Sequence, residues 1–164
     1  SQSTPPEQMA WRYGITYVRL GGHIGCLSNG AGLAMATTDL LRQQGIRAAN
    51  FVDIGKGTNS DKWVQGLRLA CNNSIQAVIV NVFASLIHCD QMVQWLAAAW
   101  RALDRDVPLV VRLQGPGAQE GQALLRRLRD KLGWSSLSIV DSTSEAVSTV
   151  VALVREDHLQ ERVA

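Results

Sequence analysis

The chain is short of cysteine: Cys26, Cys71 and Cys89 are odd in number and widely spaced, with no C-x-x-C pair. That excludes a disulfide framework and a zinc knuckle, and leaves buried thiols in a reducing compartment. No apolar run approaches the roughly 20 residues of a membrane-spanning helix, and no signal-peptide pattern opens the chain, so the expected location is the cytoplasm or a mitochondrial matrix. Charge of one sign is also lacking. Sixteen Lys and Arg face fourteen Asp and Glu, a formal +2, which gives no electrostatic footprint for nucleic acid or a membrane surface. There is no G-x-x-x-x-G-K-[ST], because Gly55-Lys56-Gly57-Thr58 has no upstream glycine. An initiator Met is absent too, and residues 1–14, polar and proline-containing at their start, read as a linker left where a larger chain was cut.

What remains suits one globular domain: 164 residues, 46% hydrophobic and 18% charged. The organising stretch is residues 76–90, an apolar β-forming run that stops at Asn81-Val82-Phe83 and turns through Ala84-Ser85 into a helix. The first N–H groups of a helix have no internal partner and carry the positive end of its dipole, so anions settle there. This is the expected working edge.

The same strand-then-helix unit recurs along the chain. Residues 15–20 alternate and residues 23–27 follow Gly21-Gly22, a hairpin or two short strands. Helical stripes are predicted at Leu33, Ala36, Leu40 and Leu41, at Trp63, Val64, Leu67, Ala70 and Cys71 behind an Asn59 or Ser60 cap, and at Met92, Val93, Leu96, Trp100 and Leu103. Two more run through Leu124, Leu125, Leu128 and Leu132, and through Val147, Val150, Val151 and Val154 behind a Ser142-x-x-Glu145 capping box. Strands are predicted at 49–54, 77–82, 108–113 and 137–140. Such alternation means a flavodoxin-like α/β fold, a doubly wound parallel sheet with a short N-terminal hairpin, over residues 15–156, with 157–164 as a tail. The loops at 29–32, 55–59, 83–90 and 114–117 then share the carboxyl edge of the sheet, where such folds bind ligands.

Gly30-Ala31-Gly32 with Asp53 imitates a dinucleotide fingerprint, but Met35 stands where the third glycine belongs. His23 reads as a hairpin histidine without a carboxylate partner. Lys56 and His88 are possible phosphate or anion contacts, weighed against ordinary solvated side chains, and Asp90 complements the dipole of the helix that follows. Five tryptophans, with Trp95 off the Met92-Leu96-Trp100 stripe, suggest more aromatic surface than one core helix face can bury, and hence an interface.

Several ordered motifs resemble the C-terminal, CoA-ligase domain of the succinyl-CoA synthetase beta subunit. They are Ile24-Gly25-Cys26-x-x-Asn29-Gly30-Ala31-Gly32-Leu33-Ala34-Met35-Ala36-Thr37-x-Asp39, Ala49-Asn50-Phe51-x-Asp53-x-Gly55-x-Gly57, Val80-Asn81-x-Phe83, Cys89-Asp90 and Val110-Val111-Arg112-Leu113-x-Gly115. The resemblance implies a domain that follows an ATP-grasp domain and packs against an alpha subunit carrying a phosphohistidine. The implied reaction, one of the tricarboxylic acid cycle, joins a carboxylic acid to CoA at the expense of ATP or GTP with Mg, none of which this domain is expected to bind by itself. It also implies that Asn29, Ser85, Leu86 and Ile87 hold the acid, with no catalytic residue and no metal ligand in this chain.

The departures from the family pattern cluster on the working edge. Ala84-Ser85 replaces two glycines, His88 an Arg, Gly55-Lys56-Gly57 a triple glycine and Gln114 a Glu, while His23 replaces an Asn and so is not the phosphohistidine. Each added Cβ at Ala84 and Ser85 is expected to narrow the pocket and make succinate a poor ligand. The alternative expectation is a non-catalytic interaction domain that keeps the fold and the subunit surface.

Overall fold

The structure, a computed structural model, describes residues 4–163 apart from Gly57, Asn73 and Leu86. Two apolar runs, β2 (Ile24–Ser28) and β4 (Ala77–Phe83), are buried on both faces except at Phe83 and form the centre of a six-stranded sheet. With β1 (Thr16–Arg19), β3 (Asn50–Asp53), β5 (Leu109–Gln114) and β6 (Leu137–Val140), the strand order is β1-β3-β2-β4-β5-β6. Only β1 is antiparallel, at one edge. Without it, the order is that of a flavodoxin-like sheet, in which the chain leaves β2 toward β3 on one side and returns to β4 on the other.

Alternation along the strands sends side chains to two helical layers. Leu27, Val78, Val80, Val82, Val111 and Leu113 pack with α3 (Ser60–Ala70), α4 (Cys89–Ala102) and α5 (Ala118–Leu132), while Ile24, Cys26, Ile79 and Val110 pack with α2 (Ala31–Gln43) and α6 (Thr143–Val163). Asn50, almost fully buried, ties layers together: its Oδ1 accepts the Cys26 N–H at 2.9 Å and its Nδ2 donates to the Ala70 carbonyl at 3.1 Å. The expected helix starts are present, Asn59 accepting from Lys62 N–H and Ser142 from Glu145 N–H. Among the described residues no helix is long and apolar enough to cross a membrane.

Three expectations need correction. No hairpin joins β1 to β2, because β3 lies between them, pairing antiparallel with β1 and parallel with β2. Residues 5–13 are a helix, α1 (Pro5–Tyr13), not a linker. Thr4 and Glu7 form a reciprocal capping box, Pro5 fills the first turn and Gly14 closes the helix at φ 68°, so the prolines and polar residues mark a helix start. The expected tail continues α6 as an exposed helix to Val163. Of the five tryptophans, Trp63 and Trp134 are fully buried, Trp100 stacks on Trp134 at 4.4 Å, and Trp95 and Trp100 pack half-buried against the core. Trp11, 85% exposed, and the half-buried Trp95 are left for the interface argument.

All three cysteines are buried and unpaired. Burial pushes the Cys26 thiol from 9.0 up to about 12, and pushes Cys71 up to about 11 against the opposing pull of Arg105. Their folded values exceed the unfolded one, so this contribution to stability is intact below pH 9 and is lost as pH rises toward 11 and 12. Each thiol then costs about 1.4 kcal/mol per pH unit. Denaturant titrations at pH 8.5 and 10.5 are expected to show a stability loss about 2 kcal/mol smaller in Cys26→Ala than in the parent. Equal losses would show that the thiol ionises in the folded state.

Candidate functional site

The reversal of strand order places the carboxyl ends of β2 and β4 side by side, and a crevice at such a switch point is where open α/β sheets bind ligands. Asn29, the residue after β2, spans it. Its Nδ2 donates to the Phe83 carbonyl at 2.8 Å and its Oδ1 accepts the Phe83 N–H at 2.9 Å. These bonds continue the β2–β4 ladder with a side chain. Asn29 is therefore buried and its amide is largely committed, leaving one N–H and one lone pair for anything else.

Beyond Phe83 the chain is pinned from the other side. Ala84 N–H donates to the Gln114 carbonyl at 2.8 Å, and Gly115, at φ 109°, lets the Ala84 carbonyl approach so closely that a Cβ there would lie 2.3 Å from its oxygen. Ala84 itself is fully buried in the α3/α4/α5 core. Its methyl therefore fills core space and not the mouth of the crevice, which corrects the expectation that both added Cβ atoms narrow a pocket. Ser85 is exposed at the loop surface, Ile87 is half-buried against the core and Leu86 lies outside the described residues.

Helix α4 starts with His88 at the N-cap position, in extended backbone and with no side-chain capping bond. Instead the His88 ring, through Nδ1, meets Asp90 Oδ1 at 2.9 Å, and the same oxygen accepts the Gln91 N–H at 2.8 Å. Asp90 thus complements the α4 dipole as expected. The imidazole also lies against Gly117, the N-cap of α5, where a Cβ would come within 2.2 Å of its Cε1. The loops after β4 and β5 thus meet at two points, a backbone contact at Gly115 that leaves no room for a Cβ and a side-chain contact of His88 at the left-handed Gly117. Next to His88, burial first and then Asp90 and Glu120 raise the Cys89 thiol, so it is no thiolate nucleophile.

The remaining positions are spread out. Lys56 is exposed in the loop after β3 and makes no ion pair among the described residues. His23 lies at the opposite, amino edge of the sheet, its Nδ1 3.0 Å from the Ser74 carbonyl oxygen. A cavity of about 520 Å³ walled by Leu20, Asp39, Arg42, Ile46 and Arg47 is also away from the crevice, at the far end of α2. The sequence reading missed Gly115 and Gly117 as the residues that shape the crevice; the G-P-G loop was their signal. Gly115→Ala is expected to lower stability by about 3 kcal/mol through left-handed strain and the Ala84 clash, whereas Ser85→Gly is expected to change it by less than about 1 kcal/mol. Chemical denaturation of the two variants checks this, and equal effects would mean that the loop is not pinned there.

A family model described as CoA-ligase matches residues 27–153. Among curated proteins, the chain is 38% identical over 157 residues to the ADP-forming succinate–CoA ligase subunit beta of Salinibacter ruber, covering 95% of this chain and 39% of that one. It is 36% identical to the corresponding subunit of Nitratiruptor, over 90% of this chain and 38% of that one. The chain thus spans about two-fifths of the length of these relatives. Among solved structures, ATP citrate lyase of Methanosaeta concilii in complex with (3S)-citryl-CoA superposes with a TM-score of 0.72 at 14% identity, covering 92% of this chain and 44% of that one. A dinucleotide-forming acetyl-coenzyme A synthetase of Korarchaeum cryptofilum superposes at 0.61 and 16% identity, over 100% and 41%. At these identities the two structures speak for the fold.

Proposed function

The chain belongs to the CoA-ligase family, and from that premise we propose that it works as the CoA-ligase domain of a succinyl-CoA-synthetase-like beta chain. The observation that supports this most is the α4 amino end, set without a side-chain cap on His88 beside the Asn29–Phe83 crevice. In the proposed reaction a nucleoside triphosphate phosphorylates a histidine of an alpha-like partner. A carboxylate oxygen of the acid then takes the phosphoryl group as the P–N bond breaks. Finally the CoA sulfur attacks the acyl carbon and phosphate leaves.

This chain's part is to hold and to stabilise charge. Asn29, through its remaining N–H, and Ser85, Leu86 and Ile87 are assigned to hold the acid, the backbone N–H groups that start α4 beside the Asp90 carboxylate add to this, and Lys56 and His88 are the further anion contacts. No nucleophile is assigned here. As the family resemblance implies, nucleotide and Mg are assigned to an ATP-grasp part of the full assembly and the phosphohistidine to the alpha-like subunit. A cytoplasmic or mitochondrial-matrix location accompanies this reading.

One observation favours a second reading. His88 stands where the family pattern has Arg, and an imidazole already held by Asp90 lacks the paired donors with which a guanidinium grips a phosphoryl group. The domain would then keep the subunit surface as an interaction module and lose the chemistry. Purified alone, the 164-residue chain is expected to bind no Mg-ATP in calorimetry and to form no acyl-CoA from succinate, CoA and ATP. With a succinate–CoA ligase alpha subunit it is expected to co-elute in gel filtration, and its counterpart in an assembled enzyme to support acyl-CoA formation. A complex without turnover of any short acid selects the interaction reading; no complex at all contradicts both.

A further inference from the structure

On the α2/α6 face of the sheet, opposite the 84–90 loop, the strand register aligns a polar row near the carboxyl edge: Ser28 beside Asn81, Asn81 beside Arg112, Arg112 beside Val140. The centre of the row is saturated. Asn81, fully buried, donates through Nδ2 to Thr37 Oγ1 of α2 at 3.0 Å and to Thr143 Oγ1, the first residue of α6, at 2.9 Å. Its two neighbours are not. Ser28 is fully buried with an Oγ that has no hydrogen-bond partner, and the Arg112 Nε is buried and equally unpartnered.

A guanidinium placed in a protein interior is normally paired with a carboxylate, because desolvating a lone charge is costly. Arg112 has no such pair among the described residues. Its hydrogen bond there is a long one, 3.4 Å from NH1 to the neutral Asn81 Oδ1, and burial lowers its pKa from the ordinary 12.5. The acids at this edge hold other donors and none pairs with Arg112: Glu145 accepts the Asp141 N–H, Asp141 accepts from Gln122 Nε2, and Asp53, three strands away, accepts the Gly55 N–H. Two further positive ends meet the same place, the amino end of α6 at Thr143 and that of α2, whose N-cap Gly30 supplies no side chain. Two helix amino ends and an idle buried hydroxyl thus surround a half-exposed guanidinium that makes no ion pair among the described residues.

We propose that Arg112 and Ser28 form a second anion site, which takes a small oxyanion, a carboxylate or phosphate group, at the carboxyl edge of the sheet. Arg112 supplies Nε–H and a terminal N–H in the paired geometry that suits two oxygens of such a group, and Ser28 supplies O–H. The site uses none of the residues assigned to the acid of the ligase reaction, and so stands or falls apart from that reading.

Titration of the ¹⁵N-labelled chain with succinate, with inorganic phosphate and with chloride at matched ionic strength tests it, reading the Arg112 Nε–Hε signal and the Ser28 amide. The expected result is a saturable shift of both signals with succinate or phosphate and none with chloride, the arm that saturates at lower concentration naming the preferred group. Ser28→Ala is expected to weaken binding severalfold, Arg112→Lys to weaken it about tenfold and Arg112→Gln to abolish it. Absence of saturation with both anions up to tens of millimolar, a shift that chloride reproduces, or undiminished binding by Arg112→Gln overturns the proposal. If Arg112→Gln does not fold, the parent and Ser28→Ala titrations decide the matter.

Discussion

The structure depends on the pairing of two strand ends by one side chain. β2 and β4 are buried on both faces except at Phe83, the last residue of β4, and the carboxyl edge between them is where the order of the sheet reverses. Asn29 completes the ladder there with one donor and one acceptor, which holds the end of β4 in register. Everything downstream follows from that fixed end: the position of Ala84, the closeness allowed by Gly115, the start of α4 at Cys89 and the seating of His88 on Gly117. A residue of another shape at position 29 would leave two backbone groups of Phe83 unpaired at the mouth of the crevice.

The two faces of this edge carry different chemistry from the same strands. Toward α4 and α5 the crevice is built from backbone: helix amino ends, a close carbonyl and glycines that let loops approach. Toward α2 and α6 it is built from side chains, with Asn81 bridging both helices and Arg112 beside it without a counter-ion. An edge with helix amino ends on both faces offers anions more than one resting place.

Much of this was legible in the sequence, for physical reasons. Apolar runs such as residues 77–82 must be buried strands, and stripes such as Met92, Val93 and Leu96 must face a core, so the parallel sheet and its helices follow from periodicity. The resemblance in residues 24–39 and 110–115 pointed to the family that residues 27–153 match. What local pattern cannot carry is strand order: nothing in residues 15–27 says that β3 inserts between β1 and β2. Nor does a loop sequence say which way a Cβ points, which is why Ala84 was expected in the pocket and is found in the core. The α1 helix was readable in its Thr4-x-x-Glu7 box but was hidden by proline. Arg112 carried a signal as well, a charge inside an apolar strand, whose meaning appears only once the register sets it beside Asn81 and Ser28.

The central claim is that the Asn29–Phe83 crevice presents positive potential to the acid in an acyl-CoA-forming assembly. Asn29→Asp tests it most directly, because it keeps the size of the side chain, removes the donor to the Phe83 carbonyl and places a negative charge where the acid is proposed to sit. In the full assembly with the alpha-like subunit, kcat/KM for the acid is expected to fall by about two orders of magnitude, equivalent to ~3 kcal/mol, with the complex still formed. Turnover within a factor of two or so of the parent, in an assembled and folded variant, would contradict the account.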